Sequence, residues 1–229
     1  MKRLLGKFAI VTGGSSGIGA ACAEALAAEG AAVLATGRRY DHGAAAHPAL
    51  GQVVHAGLDV TDEAAVVRRF AELPQLDLVV CSAGVGTFGP VVNASVADLR
   101  AMLEVHIVGT LLCAREALRR MQPRRKGHIV IMGSHAAHRA FTDCSGYTAA
   151  KAGQLGLARV LAEEARPYDI RVTTLLPGAT DTPIWDERPG FDRTKMMKPE
   201  DVASFLLAIV ARPGISVEEV ILTPPAGIL

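Results

Sequence analysis

The sequence predicts an α/β protein with a doubly wound sheet and helices on both faces. Short apolar runs alternate with helical patterns from one end of the chain to the other. The runs are continuously apolar, which indicates strands that are covered on both faces. Strands of this kind are joined by helical crossovers, so the sheet is expected to be mostly parallel.

The elements follow in order along the chain. Strands are predicted at residues 8–11, 32–36, 53–58, 76–81, 128–132, 170–175 and 217–222. Helices are predicted at 18–29, about 96–121, 147–165 and from Pro199 onward, with a further helix after the N-cap sequence 61–63. Gly30 and Pro123 end two of these helices. In the last helix, one apolar face is expected to carry Val202, Phe205, Leu206 and Ile209.

Length and composition limit the kind of protein. The chain has 229 residues, is 50% hydrophobic and carries a formal net charge of +1. This size predicts one domain over residues 1–229. The balanced charge predicts neither a nucleic-acid nor a membrane partner, and no apolar run is long enough to span a bilayer. Gly6 and Lys7 interrupt the N-terminal leucines, so no signal peptide is expected and the prediction is a cytoplasmic protein.

Cysteine and histidine spacing predicts neither disulfides nor a metal site. The four cysteines form no CxxC pair and are expected to be buried or unpaired reduced thiols; they are Cys22, Cys81, Cys113 and Cys144. His135 and His138 have no cysteine or carboxylate at ligand spacing, so they are interpreted as loop residues or substrate contacts.

A glycine-rich turn joins the first strand to the first helix. It reads Thr12-Gly13-Gly14-Ser15-Ser16-Gly17-Ile18-Gly19. Glycines there allow a tight turn and let the backbone approach a pyrophosphate, while the helix N-terminus supplies unpaired N–H groups and a positive dipole end. Its position between a strand and a helix predicts dinucleotide binding. Residues expected to hold the cofactor here are Thr12, Gly13, Ser15, Ser16, Gly17, Ile18 and Gly19.

With its Gly-x-x-x-Gly-x-Gly spacing, the chain resembles the short-chain dehydrogenase/reductase family, in its compact single-domain form, over essentially its whole length. The resemblance implies a Rossmann-type sandwich with a mostly parallel seven-stranded sheet. It also implies a nicotinamide cofactor across the C-terminal ends of the strands and a catalytic Ser-Tyr-Lys set. The function it implies is hydride transfer between the cofactor and a carbonyl or secondary alcohol.

The end of the second strand bears on cofactor choice. No acidic side chain stands at Thr36 or Gly37, and Arg38 and Arg39 follow. Guanidinium groups pair with a 2′-phosphate, which a carboxylate would repel, so NADP(H) is preferred. The alternative is that both arginines are surface charges and that the cofactor is NAD(H); the nearby Asp41 complicates the choice.

Further cofactor contacts are carried over from the resemblance. Asp59-Val60 matches an adenine-contacting pair, and Thr182, after Pro177-Gly178, matches a threonine that contacts the nicotinamide carboxamide. Asp59 is alternatively a helix-entry residue and Thr182 a capping residue. Ala83-Gly84 keeps the family's backbone turn after the fourth strand.

The catalytic prediction rests on Ser134, Tyr147 and Lys151. Tyr147 and Lys151 lie four residues apart on one helix face, and Ser134 follows a strand thirteen residues before Tyr147. A lysine cation is expected to lower the pKa of the tyrosine, which then acts as acid in reduction and as base in oxidation. Ser134 would hold the substrate oxygen, and Lys151 would also bind the nicotinamide ribose.

Two positions depart from the family pattern. Cys81-Ser82 replaces two asparagines, and His106 replaces the catalytic asparagine that supports a water in the proton relay. His106 is interpreted either as a substitute in that relay or as a packed helix residue. The departures leave open a second function, a catalytically weak cofactor-binding protein that acts in sensing or interaction.

The segment at about 183–198 is predicted to be a short substrate loop. Val85, Phe141, Trp185 and Phe191 are candidates for apolar walls, and an acidic group on the substrate is expected to meet one or more of three basic residues, which are Arg188, Arg193 and Lys195. Small residues in the helix after Tyr147 resemble the family's helix-pairing interface and predict a homo-oligomer, a tetramer or dimer; they are Ala152, Gly153 and Gly156.

Overall fold

The computed structural model describes residues 2–43, 45–186, 188 and 190–227. Seven parallel strands in this part of the chain form one sheet in the order β3-β2-β1-β4-β5-β6-β7. The strands are β1 (Phe8–Thr12), β2 (Ala32–Gly37), β3 (Val53–Gly57), β4 (Leu78–Cys81), β5 (Gly127–Met132), β6 (Ile170–Pro177) and β7 (Glu219–Leu222). The helices are α1 (Gly17–Ala28), α2 (Glu63–Ala71), α3 (Val96–Leu103), α4 (Gly109–Met121), α5 (Ser145–Ala165) and α6 (Pro199–Val210).

The sheet divides the hydrophobic core into two layers. Helices α2, α4 and α5 cover one face, and α1 and α6 cover the other. Successive residues of β1 face opposite layers, with Ile10 on the first and Ala9 and Val11 on the second. This explains why the strands read as continuous apolar runs. The predicted doubly wound, parallel seven-stranded fold is confirmed.

The strand order reverses between β1 and β4. From β1 the chain continues outward through β2 and β3, and then returns to place β4 on the other side of β1. The loops that follow β1 and β4 therefore leave in opposite directions and open a crevice at the C-terminal ends of the strands, where doubly wound sheets bind ligands.

The helix predicted at about 96–121 is interrupted. A π-helical turn at Glu104–Val108 separates α3 from α4. The wider turn adds one residue and rotates the side chains that follow, and turns of this kind are frequent at functional sites. His106 lies in this turn and is buried.

Other boundaries differ from the prediction. Strand β4 begins at Leu78 rather than Leu76, whose carbonyl accepts a hydrogen bond from Arg124. Strand β7 begins at Glu219 rather than Val217, whose carbonyl accepts from the Thr173 hydroxyl. Both carbonyls accept a hydrogen bond from a side chain, and the apolar pattern of the sequence does not reveal these bonds.

The predicted apolar face of α6 is partly wrong. Its buried residues are Val202, Ala203, Leu206, Ile209 and Val210. Phe205 is 37% exposed because it lies at the margin of that face.

The four cysteines are free and buried: Cys22 in α1, Cys81 in β4, Cys113 in α4 and Cys144 just before α5. Within the described ranges, no helix has the length and apolar character that crossing a membrane requires. The division of the chain into one domain with a substrate loop at 183–198 stays a prediction, and Glu187 and Pro189 of that loop lie outside the described residues.

Candidate active site

A cleft of about 1280 Å³ runs along the C-terminal ends of the strands. The predicted site residues that line it are Gly13, Ser15, Ser16, Gly17, Ile18, Gly19, Arg38, Arg39, Asp59, Val60, Ala83, Gly84, His106, Ser134, Tyr147, Lys151, Pro177, Gly178 and Thr182. Residues that are far apart in sequence therefore share one continuous surface.

Thr12 is the predicted cofactor contact that does not line the cleft. Its side chain is buried, and its hydroxyl oxygen lies 3.3 Å from the backbone nitrogen of Ser82 and 3.4 Å from that of Ala83. Thr12 thus joins the end of β1 to the turn after β4, and its expected role as a cofactor contact stays a prediction.

The glycine-rich turn forms a tight backbone cradle. Gly13 has a φ of 69°, and a Cβ there would lie 2.6 Å from the nitrogen of Ala83. Gly17 has a φ of 54°, and a Cβ there would lie 3.1 Å from Cγ2 of Thr182. Helix α1 has no acidic residue in its first turn, and the Ser16 side chain does not cap it. Free N–H groups, no nearby carboxylate and close backbone access are what a dinucleotide pyrophosphate requires.

The two arginines after β2 differ in their contacts. Nη2 of Arg39 donates to the carbonyl of Ser15 at 3.1 Å and to its hydroxyl at 3.2 Å. No side-chain hydrogen bond or ion pair engages the Arg38 guanidinium within the described part of the chain, although Arg38 lines the same cleft. Arg39 therefore braces the glycine-rich turn, while Arg38 is available to an anionic ligand.

Both interpretations of Asp59 have a structural basis. Asp59 lines the cleft, and its Oδ1 accepts hydrogen bonds from the backbone and hydroxyl of Thr61 at 2.9 and 2.8 Å. The N-cap of α2 is Asp62, which accepts from Ala65. Asp59 consequently shapes the approach to the helix without capping it.

Ser134, Tyr147 and Lys151 converge at the middle of the cleft. Ser134 follows β5, and its Oγ accepts the N–H of Ala136 at 3.1 Å. Since this bond uses a lone pair, the hydroxyl proton can still be donated toward the cleft. Tyr147 lies in the first turn of α5. Strand β5 and helix α5 thus supply the three groups from two rigid elements.

The pKa of Tyr147 is raised rather than lowered. Burial raises it to about 12, outweighing the effect of the nearby Ser134 hydroxyl, which lowers it. Lys151 is not among the groups that shift this pKa, and its expected lowering effect on Tyr147 stays a prediction. Burial lowers the pKa of Lys151 itself to about 7, so the amine carries only part of a charge near neutral pH.

The Lys151 amine is held by a buried polar chain. Nζ donates to the carbonyl of Met132 at 2.9 Å and to Oε1 of Gln154 at 3.0 Å, and Nε2 of Gln154 donates to the Thr110 hydroxyl at 2.8 Å. The sequence analysis missed Gln154 and Thr110. The spacing of Gln154, three residues after Lys151 on one helix, was the available signal.

His106 holds the turn after β4. Its Nε2 lies 2.7 Å from the carbonyl oxygen of Val85, which assigns the proton of the neutral ring to Nε2. Burial, and then the nearby Lys151, lower the pKa of His106 to about 3 against the opposing effect of the Val85 hydrogen bond. His106 is thus neutral at physiological pH, and its ring lies edge-on to that of Tyr147, with centroids 5.7 Å apart.

Comparison with known proteins decides the family. A sequence model described as short chain dehydrogenase matches residues 7–191 of this chain. The chain belongs to the short-chain dehydrogenase/reductase family.

Individual relatives agree. An uncharacterized oxidoreductase from Staphylococcus haemolyticus is 31% identical, with 98% of this chain and 100% of that protein covered. A cis-4-hydroxycyclohexanecarboxylate dehydrogenase from Sinomonas cyclohexanicum is 34% identical, with 96% of each chain covered. The structure of an alcohol dehydrogenase from the archaeon Thermococcus sibiricus, complexed with 5-hydroxy-NADP, superposes with a TM-score of 0.84 at 26% identity, covering 96% of this chain and 97% of that one.

In this short-chain dehydrogenase, the cleft continues past Tyr147 into an aromatic region. Four predicted wall residues line it, namely Val85, Phe141, Trp185 and Phe191. Phe88, which the sequence analysis missed, lies 5.3 Å from the Tyr147 ring between centroids. The expected substrate contacts Arg193 and Lys195 do not line the cleft, because Arg193 pairs with Asp181 and Asp186 and Lys195 pairs with Asp192.

We expect substitutions of His106 to show whether its hydrogen bond to the turn after β4 matters for catalysis or whether the ring only fills space in the core. In His106→Asn the position carries the residue that the family pattern has there, so kcat should be retained or raised. His106→Leu removes the side-chain donor to the partly buried Val85 carbonyl, at a cost of about 1–3 kcal/mol, and should lower kcat about tenfold or more.

The measurements are kcat, the NADPH dissociation constant and the Tm of each variant. His128→Leu is the matched control, because His128 is also buried, has a pKa lowered to about 3 and bonds Thr173, but does not line the cleft. It should lower Tm and leave kcat unchanged below the melting range. Equal kcat in the wild type and both His106 variants would show that this side chain does not position the site.

Proposed function

We propose that this protein is an NADP(H)-preferring oxidoreductase that transfers a hydride between nicotinamide and a carbonyl or secondary alcohol by a Ser-Tyr-Lys mechanism. The observation that carries the proposal is the convergence of Ser134, Tyr147 and Lys151 in the cleft that the glycine-rich turn also lines. The Sinomonas relative is by its name a dehydrogenase of a hydroxy compound, which supports this reaction class.

The side chains divide the work on the substrate oxygen. The Ser134 hydroxyl would donate a hydrogen bond that fixes the oxygen and strengthens as negative charge develops on it. Tyr147 would give that oxygen its proton in reduction and remove it in oxidation. With a pKa of about 12, Tyr147 is protonated at neutral pH and therefore starts as the acid that reduction needs.

Binding of the cofactor would use both ends of the cleft. NADP(H), when bound, supplies or accepts the hydride. The N-terminus of α1 would hold its pyrophosphate, Lys151 and Thr182 would hold the nicotinamide end, and Asp59 and Val60 would border the adenine. A hydrogen bond from the remaining N–H donor of Lys151 to ribose hydroxyls would favour the positively charged form of the amine. That charge would ease loss of the Tyr147 proton in oxidation.

The preference for NADP(H) rests on Arg38. Its guanidinium borders the cleft without a carboxylate partner in the described ranges, and no acidic side chain ends β2. The Thermococcus relative, complexed with 5-hydroxy-NADP, is a precedent at the level of the fold.

We also propose that the protein forms a homo-oligomer. It would act in the cytoplasm on a small molecule, without nucleic-acid or membrane partners. The outer face of α5 carries exposed small residues and Val160, which is 56% exposed, and α4 carries Leu111, which is 45% exposed. Such a face allows close packing of helices from two copies.

We expect Tyr147→Phe to lower kcat about 10²–10⁴-fold, because the transferable proton is lost while the ring remains. NADPH affinity should change little. The assay follows NADPH oxidation with a panel of ketones and aldehydes, and cofactor binding by titration. The control is Tyr168→Phe, since Tyr168 lies outside the cleft. Wild-type kcat in Tyr147→Phe would contradict the assigned role. Tight NADPH binding without turnover by the wild type would favour the alternative, a catalytically weak binding protein.

We expect the two arginines to affect cofactor choice differently. Arg38→Leu should weaken NADPH about tenfold in kcat/KM and leave NADH unchanged, because one charge-assisted bond to the 2′-phosphate is lost. Arg39→Leu should weaken both cofactors, because the brace on Ser15 is lost. Gly37 is left in place, since a Cβ there would lie 2.9 Å from the Ser15 hydroxyl. Equal use of NADH and NADPH by the wild type would contradict the preference.

We expect Gly156→Arg to reduce the native mass to that of a monomer. A Cβ at Gly156 meets nothing within 4 Å, so the chain itself tolerates a side chain there while a partner helix would not. Light scattering at micromolar concentration gives the mass. Gly214→Arg, at another open glycine, is the control and should leave the mass unchanged. A monomeric wild type would overturn the proposal.

A further inference from the structure

An arginine is stacked among three aromatic rings at the substrate end of the cleft. The guanidinium carbon of Arg188 lies 4.2 Å from the ring centroid of Phe88, 4.8 Å from that of Phe191 and 5.1 Å from that of Trp185. Arg188 is half-buried and lines the cleft. A guanidinium stacked on ring faces keeps its N–H donors at its edge, where they can make two parallel bonds to a carboxylate.

Arg188 differs from the other basic residues of this segment. Arg193 forms ion pairs with Asp181 and Asp186, and Nζ of Lys195 lies 3.4 Å from Oδ2 of Asp192. Within the described residues no carboxylate lies within ion-pair distance of Arg188, although Asp143 and Asp186 also border the cleft. A positive charge therefore faces the substrate region, and no residue in the described ranges forms an ion pair with it.

The arginine and the catalytic tyrosine are within reach of one small molecule. Phe88 contacts both, with its ring centroid 4.2 Å from the Arg188 carbon and 5.3 Å from the Tyr147 centroid. The guanidinium carbon of Arg188 and the ring centroid of Tyr147 are therefore at most about 9.5 Å apart, which is the sum of these two distances. The positive charge of Arg188 also opposes the rise that burial causes in the pKa of Cys144, three residues before Tyr147.

We propose that Arg188 binds a carboxylate of the substrate, so that the preferred substrates are oxo acids and hydroxy acids whose reacting carbon lies a few bonds from the carboxylate. This proposal rests on the proposed function, because the reacting carbon must lie at Tyr147. The aromatic rings exclude water from the ion pair and so strengthen it, while they pack against the carbon chain between the two polar ends.

The test compares acids with their methyl esters. Suitable pairs are 3-oxobutanoate, 4-oxopentanoate and 5-oxohexanoate, each against its ester, with NADPH as reductant. We expect the wild type to prefer at least one acid by about tenfold or more in kcat/KM, as one charge-assisted pair would give. Arg188→Gln should abolish that preference, with a loss in kcat/KM for the acid that arises through KM and is about tenfold larger than any change for its ester. Lys195→Gln, the same loss of charge at a paired residue outside the cleft, should preserve the preference.

A second measurement does not depend on turnover. Trp185 is the only tryptophan of the chain and lies beside Arg188. Hexanoate should change the tryptophan fluorescence of the NADP⁺ complex in a saturable way, hexanamide should not, and Arg188→Gln should remove the response to hexanoate.

The outcomes separate this inference from the proposed function. Reduction of the esters without preference for any acid, in the wild type, would overturn the carboxylate site and leave the oxidoreductase standing. An equal loss of activity on acids and esters in Arg188→Gln would also overturn it, because it would show that Arg188 only supports the loop. No turnover of any pair, with a fluorescence response specific to hexanoate, would support the carboxylate site and count against the proposed reaction.

Discussion

The cleft depends on the close approach of two backbone turns, one after β1 and one after β4. Because Gly13 has no side chain, its backbone lies directly against Ser82 and Ala83, and a Cβ there would come within 2.6 Å of the carbonyl oxygen of Ser82 and of the nitrogen of Ala83. The Thr12 hydroxyl oxygen reinforces this contact by accepting from the backbone N–H groups of Ser82 and Ala83. The strand reversal opens the crevice, and the approach of these turns makes a single surface from loops that are about 70 residues apart in sequence.

Two further side chains form hydrogen bonds that hold these two turns in place. Arg39 holds the first turn through Ser15, and His106 holds the second through the Val85 carbonyl. Because His106 lies in the π-helical turn between α3 and α4, the helix is connected to the same backbone. The cleft is thus shaped by hydrogen bonds that exist without cofactor, which reduces the ordering that a ligand must impose.

The electrostatic character of the site follows from burial. The pKa of Tyr147 is raised to about 12, that of Lys151 is lowered to about 7 and that of His106 is lowered to about 3. Above pH 7, and up to the pKa of the tyrosine, all three groups are therefore mostly neutral. Taking a charge out of water is costly, so a buried group keeps its neutral form until a partner arrives.

Local signals in the sequence were enough for the fold and for much of the candidate site. The glycine-rich turn, Ser134 and the Tyr147–Lys151 pair each follow a strand or begin a helix, and in a parallel sheet such positions meet at one edge. The burial of Thr12 and the bond from Gln154 to Thr110 depend on contacts between distant elements, which no local pattern encodes, whereas the spacing of Gln154 after Lys151 is a local signal. The difference between Arg188 and Arg193 likewise depends on such contacts, since ion pairing within a loop is settled by its fold.

The central place of β1 has a consequence for how the chain folds. Strand β1 pairs with β2 on one side, but its other edge pairs with β4, and Ser82 lies 70 residues after Thr12. At about 5–20 residues per second, several seconds of translation separate these two partners. During that interval one edge of an apolar strand is unpaired, and non-local pairing of this kind slows folding. A nascent chain of this topology therefore relies on early covering of β1 by α1 and β2, or on chaperones, to avoid edge-to-edge association.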